Sequence, residues 1–330
     1  MSASPLYESR VVRAVRSFRA AIATFEASET RELALRYLDV EKALAANIKA
    51  LAERVNALYA AGEEPSWSQL YRLDRYQRLE AQLVSELARF NGWAADLITQ
   101  HQLRLMLEGA ENARTVMAMF DRFPVRMPHE AVQSVVGLAR NGAPLGDLLA
   151  TSYTAARRAI TQELVRSVAI GRNPRATAAA IRRATSVPLE RAVTIARTEQ
   201  MRAYNMAATE VYRSMGVTQY QRCANLDENT CIGCLALNGE ILDAESELSD
   251  HPRGKCSVIP LVPDAVNEPV PSSEAWFKAQ PENVQRAIAG AGRFAAYKSG
   301  SASWSDLATH THDPVWGGSV QPTPVSQLAA

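Results

Sequence analysis

Two short stretches in the second half of the chain decide its local fold: TCIGC at residues 230–234 and HPRGKC at residues 251–256. Written as C-x₂-C-x₁₆-H-x₄-C, they supply four soft ligands: Cys231, Cys234, His251 and Cys256. This spacing is typical of a tetrahedral zinc site in which three thiolates and one imidazole fill every coordination position. Such a site holds structure and leaves no place for an activated water. The motif therefore predicts a structural Zn²⁺ and not a catalytic metal.

The residues between the ligands suit this role. Gly233 accepts backbone angles that bring two sulfurs towards one point, and Gly254 frees the second turn before the last ligand. Two alternatives stay open: ordinary buried cysteines beside a surface histidine, and a disulfide between the paired cysteines, which a reducing compartment disfavours. The remaining cysteine, Cys223, lies in an apolar-polar alternation and is predicted to pack rather than to ligate.

The composition describes a globular chain without a strong overall charge. At 330 residues and 47% hydrophobic, it can bury a substantial core and form two or three domains. Residues 1–10 lack the apolar stretch of a signal peptide, and no window approaches the roughly 18 unbroken apolar residues of a membrane span. We therefore expect a soluble protein, made in a cytoplasm, with no membrane partner.

Positive charge is concentrated in one segment, although the net charge is only +1. Residues 151–216 contain eleven arginines, no lysine and four glutamates. Such helices can follow a phosphate backbone, because neutralised phosphates release counterions, or they can form a solvated face or dock on an acidic protein. Sparse aromatic residues disfavour a stacking platform for single strands. The candidates for nucleic-acid contact are Arg157, Arg158, Arg172, Arg175, Arg182 and Arg183.

Apolar spacings of three and four predict an almost wholly helical chain from residue 11 to about residue 216. One stripe, in a helix that ends before Gly62, consists of Leu44, Ile48, Leu51, Val55 and Leu58. Ser66 and Gln69 form a capping box for a second helix, and Asn91-Gly92 predicts a break. Further helices are predicted over residues 93–120, 128–140, 145–170 and 188–215. We expect these stripes to pack in the core.

Arg197-Thr198-Glu199 lies inside the predicted helix 188–215 and resembles a catalytic pair at first sight. Residues two apart on a helix point roughly 200° away from each other, so Arg197 and Glu199 cannot form a dyad unaided. Glu199 can meet Arg202 one turn on. We interpret Arg197 and Glu199 as structural residues that anchor this helix to the zinc module.

After Gly216 the hydrophobic period changes from helical to alternating. Residues 217–224 and 256–262 read as strands, and Asn238-Gly239 is a hairpin signal. So few strands bury too little apolar area to be stable alone, and a metal would supply the missing free energy. The predicted fold is mainly α with a small α+β zinc-stapled module. It has long N-terminal helices, short β-hairpins around residues 217–262 and a helical C-terminal extension.

Several pieces of sequence combine into a larger pattern. They are Ile195-Ala196-Arg197-Thr198-Glu199, Asp227 ahead of the paired cysteines, Leu237-Asn238-Gly239, His251-Pro252, Cys256 and Pro260. In order and spacing, these pieces of residues 145–262 resemble the phage head morphogenesis family, the minor head proteins related to protein F of phage Mu. The tail resembles the C-terminal extension of many such proteins at Trp276-Phe277, Gln280-Pro281, residues 290–294, Tyr297, Gly300 and Asp306-Leu307.

The resemblance implies a structural virion component without established enzymatic activity. It would act in procapsid assembly at the portal vertex, lie in the capsid interior or at that vertex, and pass through the host cytoplasm during assembly. Its partners would be the portal protein, the major capsid protein or a scaffold protein. Three regions follow: residues 1–144 for portal or capsid contact, 145–265 as the core with the metal site, and 266–330 as a helical extension with a flexible tail.

One departure concerns the metal ligands. Many relatives end the motif as His-Pro-x-Cys-x-Cys, whereas this chain has Gly254 where the first of those cysteines would fall. If the relatives ligate through that cysteine, the site here would be rebuilt, for example with Cys223, or would be metal-free.

Two other classes of function remain as alternatives. A DNA-binding or ejected internal virion protein would use the arginine-rich helices of residues 151–216 on packaged DNA. A metal-dependent nuclease or toxin-like effector would need an open metal position. His310-Thr311-His312-Asp313 lies among small and turn-forming residues and is expected in a mobile exposed tail. The sequence shows no glycine-rich phosphate loop and no serine elbow.

Overall fold

A computed structural model of the chain describes residues 8–63, 69, 72–123, 135–169, 174–184 and 187–328. The chain divides into two compact units. The first unit comprises residues 1–25, 100–142 and 197–330, and the second comprises residues 26–99 and 143–196. In the described part, no helix has the length and apolar character needed to cross a membrane.

The N-terminal half contains two long helices, α1 (Arg10–Ala60) and α2 (Asp74–Ala118). The predicted apolar stripe of α1 is buried from Leu44 to Leu58, and the helix ends just before Gly62 as expected. The predicted break at Asn91-Gly92 is wrong, because α2 runs straight through it. Asn91 is buried there, and its side-chain amide donates to Leu149 O at 3.1 Å. Ser66 of the predicted capping box lies outside the described residues.

Shorter helices follow, and the structure changes two predicted boundaries. The helix predicted over residues 145–170 is divided into α3 (Leu145–Ala150) and α4 (Ser152–Ala169). Thr151 separates them, and its hydroxyl donates to Leu148 O at 2.7 Å in competition with the helical backbone. The helix predicted over residues 128–140 is not formed where it is described, since residues 135–137 and 140 lie in turns.

Two further helices precede the sheet. They are α5 (Pro174–Ala184) and α6 (Val187–Ser214). The predicted long helix 188–215 is therefore confirmed to within one residue at each end. In the first unit, α6 buries one face through Ala203, Ala207 and Val211 against the sheet that follows it.

The predicted strands form a three-stranded antiparallel sheet. Its order is β2-β1-β3, with β1 at Gln219–Cys223, β2 at Ile241–Asp243 and β3 at Ser257–Leu261. Tyr220 at the centre of β1 faces both Leu242 and Pro260 in the ladder. The Asn238-Gly239 turn exists, with Gly239 at φ +89°, but it joins a short helix to β2 instead of joining two paired strands. That helix, α7 (Ile232–Ala236), carries the cysteine pair between β1 and β2.

The C-terminal region is helical and then extended. Its helices are α8 (Ser273–Lys278), α9 (Glu282–Ala289) and α10 (Ala291–Ser299). They enclose an aromatic cluster in which the rings of Phe277, Tyr297 and Trp304 lie 5.2–6.0 Å apart.

A hairpin replaces the mobile tail expected around His310. It pairs β4 (Ala308–Asp313) with β5 (Gly317–Pro322), and a last short helix, α11 (Val325–Leu328), follows. His310 itself lies 3.1 Å from a carboxylate oxygen of Glu240.

Candidate metal centre

The paired cysteines sit at the N-terminal end of α7, where one helical turn aims both sulfurs to the same side. Cys231 caps the helix, and its Sγ accepts the backbone N–H of Cys234 at 3.3 Å. Gly233 between them packs tightly, since a Cβ there would lie 3.0 Å from the backbone of Gln321 and Pro322 in β5. The glycine is therefore required by close packing of the knuckle against the hairpin.

His251 presents one ring nitrogen to the cysteine pair. Its Nε2 lies 3.3 Å from Cys231 Sγ, and its Nδ1 lies 2.8 Å from Pro252 O. A carbonyl only accepts, so Nδ1 carries a proton and donates it, which leaves the Nε2 lone pair for a metal. In a tetrahedral zinc site with Zn–S of about 2.3 Å and Zn–N of about 2.0 Å, sulfur and nitrogen lie roughly 3.5 Å apart. The observed separation fits such a site.

The four predicted ligands fall into two overlapping groups. The donor atoms of Cys231, Cys234 and His251 all lie within 4.8 Å of one another. Cys256 belongs to a second group, again within 4.8 Å, with Cys234 and Asp250. This Cys/His/Asp cluster could hold a metal ion, while the closed set of three cysteines and one histidine stays a prediction. In the described part of the chain, Cys223 belongs to neither group and is buried in the apolar core.

Asp250 is the residue of this centre that sequence reasoning missed. Its Oδ1 accepts the N–H of His251 at 2.9 Å, and its Oδ2 accepts the N–H of Cys256 at 3.2 Å. Cys234 Sγ lies 3.7 Å from Asp250 Oδ1. The carboxylate is thus oriented by the backbone of two predicted ligands. Its position directly before His251 was the only available sequence signal.

Gly254 explains how that carboxylate fits. A Cβ on residue 254 would lie 2.0 Å from Asp250 Cγ and 2.1–2.3 Å from its two oxygens. Asp250 therefore occupies the space that any side chain at position 254 would need. Gly254, which departs from the pattern of the relatives, and Asp250 therefore depend on each other: the missing side chain of one leaves the space that the other fills.

Hydrogen bonding and charge favour the thiolate form of the first cysteine. Hydrogen bonds from Cys234 and His251 lower the pKa of Cys231 to about 4, although burial opposes this. Burial also opposes charge on His251, but its contacts with Cys231 and Asp250 raise its pKa to about 10. Without metal, the two side chains form a thiolate–imidazolium pair. A metal would therefore displace a proton from His251 when it binds.

A buried arginine interacts electrostatically with Cys256 and Asp250 of the cluster. Arg222 is fully buried, and its Nε donates to Glu240 Oε2 at 2.9 Å while its Nη2 donates to Ser249 O at 2.7 Å. Its positive charge offsets the negative charge that cysteine thiolates and Asp250 would bring to a metal.

The predicted anchor residues lie beside this centre. Glu199 is fully buried and accepts from Arg202 Nη1 at 3.1 Å and from the backbone N–H of Arg140 at 3.2 Å. Burial raises the pKa of Glu199, and these two donors oppose the shift. Glu247 extends the network, at 2.9 Å from Arg140 and 3.6 Å from Arg202. Arg197 is half-buried and does not pair with Glu199 through any hydrogen bond in the described residues, in line with the helical geometry.

Helix α6 also touches the second half of the motif directly. The Thr198 hydroxyl accepts the N–H of Arg253 at 3.0 Å, and the Asn205 amide donates to Cys256 O at 3.0 Å. The middle residue of Arg197-Thr198-Glu199 thus holds the turn that carries His251. A pocket of about 290 Å³ lies between α6 and residues 244–254.

The candidate nucleic-acid residues are only partly described. Arg158 in α4 and Arg175 and Arg183 in α5 are exposed. Arg157 and Arg182 lie in the same two helices, and Arg172 lies outside the described residues. Two later arginines of the basic segment contact acids, Arg202 with Glu199 and Arg213 with Glu210, both at 3.1 Å.

Comparison with known proteins gives one match. Residues 158–257 match the model of a family described as Phage Mu protein F like protein. No curated protein and no solved structure matches the chain significantly. The matched stretch contains the Arg197-Thr198-Glu199 helix, strands β1 and β2, and all the donor residues of the candidate metal centre, and it ends at the first residue of β3. The resemblance of this segment to the phage Mu protein F-like head morphogenesis family is thereby confirmed.

Proposed function

We propose that the chain is a minor head protein of a tailed bacteriophage, with a structural role in procapsid assembly at the portal vertex. The match of residues 158–257 to the Phage Mu protein F like family carries this proposal. The family indicates head morphogenesis and a place in the virion, and the portal vertex is the finer part that we add. The partners would be the portal protein and the major capsid or scaffold protein.

A structural Zn²⁺ in the Cys/His/Asp cluster suits this role. The sheet beside the cluster is small, with five residues in β1 and β3 and three in β2. Such a sheet buries little apolar area, so a metal held between α7 and the turn at residues 250–256 would add stability that the strands lack. If protein ligands fill all four positions, no water remains on the metal, as a role without catalysis requires.

The test uses particles made by the genome that encodes the chain. Mass spectrometry of purified procapsids should find the chain in few copies relative to the shell subunit, and the chain should co-purify with portal protein at high salt. Deletion of its gene should reduce infectious particles while shell protein is still made. A chain absent from procapsids and dispensable for infectivity would contradict the proposal.

A role on packaged DNA is the alternative favoured by one observation, the exposure of Arg158, Arg175 and Arg183. If they contact phosphates, replacing all three by glutamine should reduce the slope of log affinity against log salt by about 3, since each contact contributes about 0.9.

The matched control for that experiment replaces three exposed arginines outside the basic segment, all in α2: Arg78, Arg89 and Arg104. An equal loss of slope in both triple variants would count against a specific DNA-binding face.

An enzymatic alternative would use the pocket beside the cluster, which Asp250, His251 and Glu199 help to line. A metal-dependent nuclease needs an open coordination position there. Cleavage of DNA by metal-loaded protein, abolished in Cys234→Ser, would favour this class over a head protein.

A further inference from the structure

We propose that Asp250 is the fourth ligand of the metal centre, so that its donor set is Cys231, Cys234, His251 and Asp250. The inference rests on the metal binding proposed above. It replaces the third thiolate, Cys256, by a carboxylate oxygen. Zinc accepts such an oxygen at about 2.0–2.2 Å, and the set remains closed and four-coordinate.

The carboxylate of Asp250 lies at the distance from Cys234 that a shared zinc would require. Asp250 Oδ1 lies 3.7 Å from Cys234 Sγ, close to the roughly 3.5 Å that separates sulfur and oxygen donors around one tetrahedral zinc. Asp250 also adjoins His251 in sequence and accepts its backbone N–H at 2.9 Å. The carboxylate therefore lies beside the sulfur of Cys234 and is hydrogen-bonded to the backbone of His251.

The carboxylate of Asp250 is also held in place by the backbone. Two backbone N–H groups, those of His251 and Cys256, each hold one of its oxygens. These two hydrogen bonds orient the carboxylate, as expected of hydrogen-bonded carboxylate ligands. The backbone of Cys256 thus positions Asp250, and its own carbonyl is bound by Asn205 at 3.0 Å.

Gly254 leaves the space that the carboxylate of Asp250 fills. Only a residue without a side chain leaves room for Asp250, because a Cβ at position 254 would lie 2.0 Å from the carboxyl carbon. The carboxylate oxygens of Asp250 therefore lie where a side chain at position 254 would otherwise lie. Cys256 packs in a small buried cluster with Ala224 and Cys234, and Cys231 packs against the same cluster.

X-ray absorption at the zinc edge distinguishes the two donor sets in the full-length protein. We expect two sulfurs and two lighter donors per zinc in the wild type, and the same sulfur count in Cys256→Ser. Three sulfurs and one nitrogen in the wild type, with one sulfur lost in Cys256→Ser, would overturn the inference.

Two variants test Asp250 without relying on cysteine. Asp250→Asn removes the charged donor, and Gly254→Ala keeps every donor but displaces the carboxylate. Both should weaken zinc affinity at least 10-fold and change the d–d spectrum of the cobalt-loaded protein. Glu245→Gln, at an exposed acid in the same loop, is the matched control and should change neither.

A rescue experiment separates ligation from mere support of the loop. The double variant Asp250→Ala with Gly254→Cys should bind zinc again, with a stronger sulfur-to-cobalt charge-transfer band than the wild type. Wild-type affinity and spectrum in Asp250→Asn would overturn the inference alone. A wild-type protein that binds no zinc would overturn the proposed metal binding as well.

Discussion

Arg202 and Arg213 make the same kind of ion pair in different surroundings on one helix. Each reaches an acid three residues earlier at 3.1 Å, but Glu199 is fully buried whereas Glu210 and Arg213 are partly exposed. Removing Arg202 would leave a buried carboxylate with one partner fewer. We therefore expect Arg202→Met to cost about 3 kcal/mol of unfolding free energy at neutral pH. Arg213→Met, the control, should cost less than about 1 kcal/mol in the same urea titration.

The cost of Arg202→Met should depend on pH. Burial raises the pKa of Glu199 above its ordinary 4.5, so the folded state binds its proton more tightly than the unfolded state. The stabilisation that comes from this tighter proton binding is complete below pH 4.5, and it is lost as pH rises through the raised pKa of Glu199. Loss of Arg202 raises that pKa further. The difference between variant and wild type should therefore shrink as pH falls towards 4.5, and a constant difference would contradict the assignment.

Two buried cysteines should behave in opposite ways. Cys234 belongs to both donor groups, so Cys234→Ser should abolish stoichiometric zinc binding, measured by elemental analysis of the purified protein. Cys223 lies in the apolar core, and burial raises its pKa to about 11, so it is a neutral thiol at pH 7. Cys223→Ala should retain about one zinc per chain. Zinc retained in the first variant or lost in the second would refute these roles.

Among the secondary-structure elements, α2 offers a matched pair of glycines. Nothing lies within 4 Å of a Cβ built on Gly92, whereas a Cβ on Gly109 would lie 2.4 Å from the carbonyl oxygen of Tyr204 in α6. Gly92→Ala should stabilise the protein by about 0.5–1 kcal/mol, because alanine favours the helix. Gly109→Ala should destabilise it by more than that. Thermal unfolding followed by circular dichroism measures both, and a shift of the same sign would contradict the close α2–α6 contact.

Across the chain as a whole, the metal should stabilise one unit selectively. The donor residues and the sheet belong to the first unit, whereas α4 and α5 belong to the second. Removal of zinc by a chelator should increase hydrogen exchange in residues 219–261, because binding free energy is part of their folding free energy. Amides of α4 and α5 serve as the internal control. Unchanged exchange in the sheet would mean that the metal contributes little to its stability.

The local patterns of the chain predicted much of this architecture. Apolar spacing located α1 and α6, alternation located β1 and β3, and cysteine spacing located the centre. These features are readable because helix and strand periodicity depend on neighbours within a few residues. The predicted break at Asn91-Gly92 was wrong because it relied on local helix propensity, which is weak. The buried hydrogen bond from Asn91 to Leu149 overrides that propensity.

The order of residues was sufficient for the helical class, for a cysteine and histidine cluster that could hold a metal, and for the resemblance to phage Mu protein F-like proteins. It was not sufficient for the hairpin at residues 308–322, for the network that joins Arg140, Glu199 and Glu247, or for the place of Asp250. The hairpin packs against α7 at Gly233, the network joins residues up to about 100 positions apart, and Asp250 occupies space left by the missing side chain of Gly254. Spacing along the sequence specifies which donors are available, and packing in three dimensions decides which of them face one point.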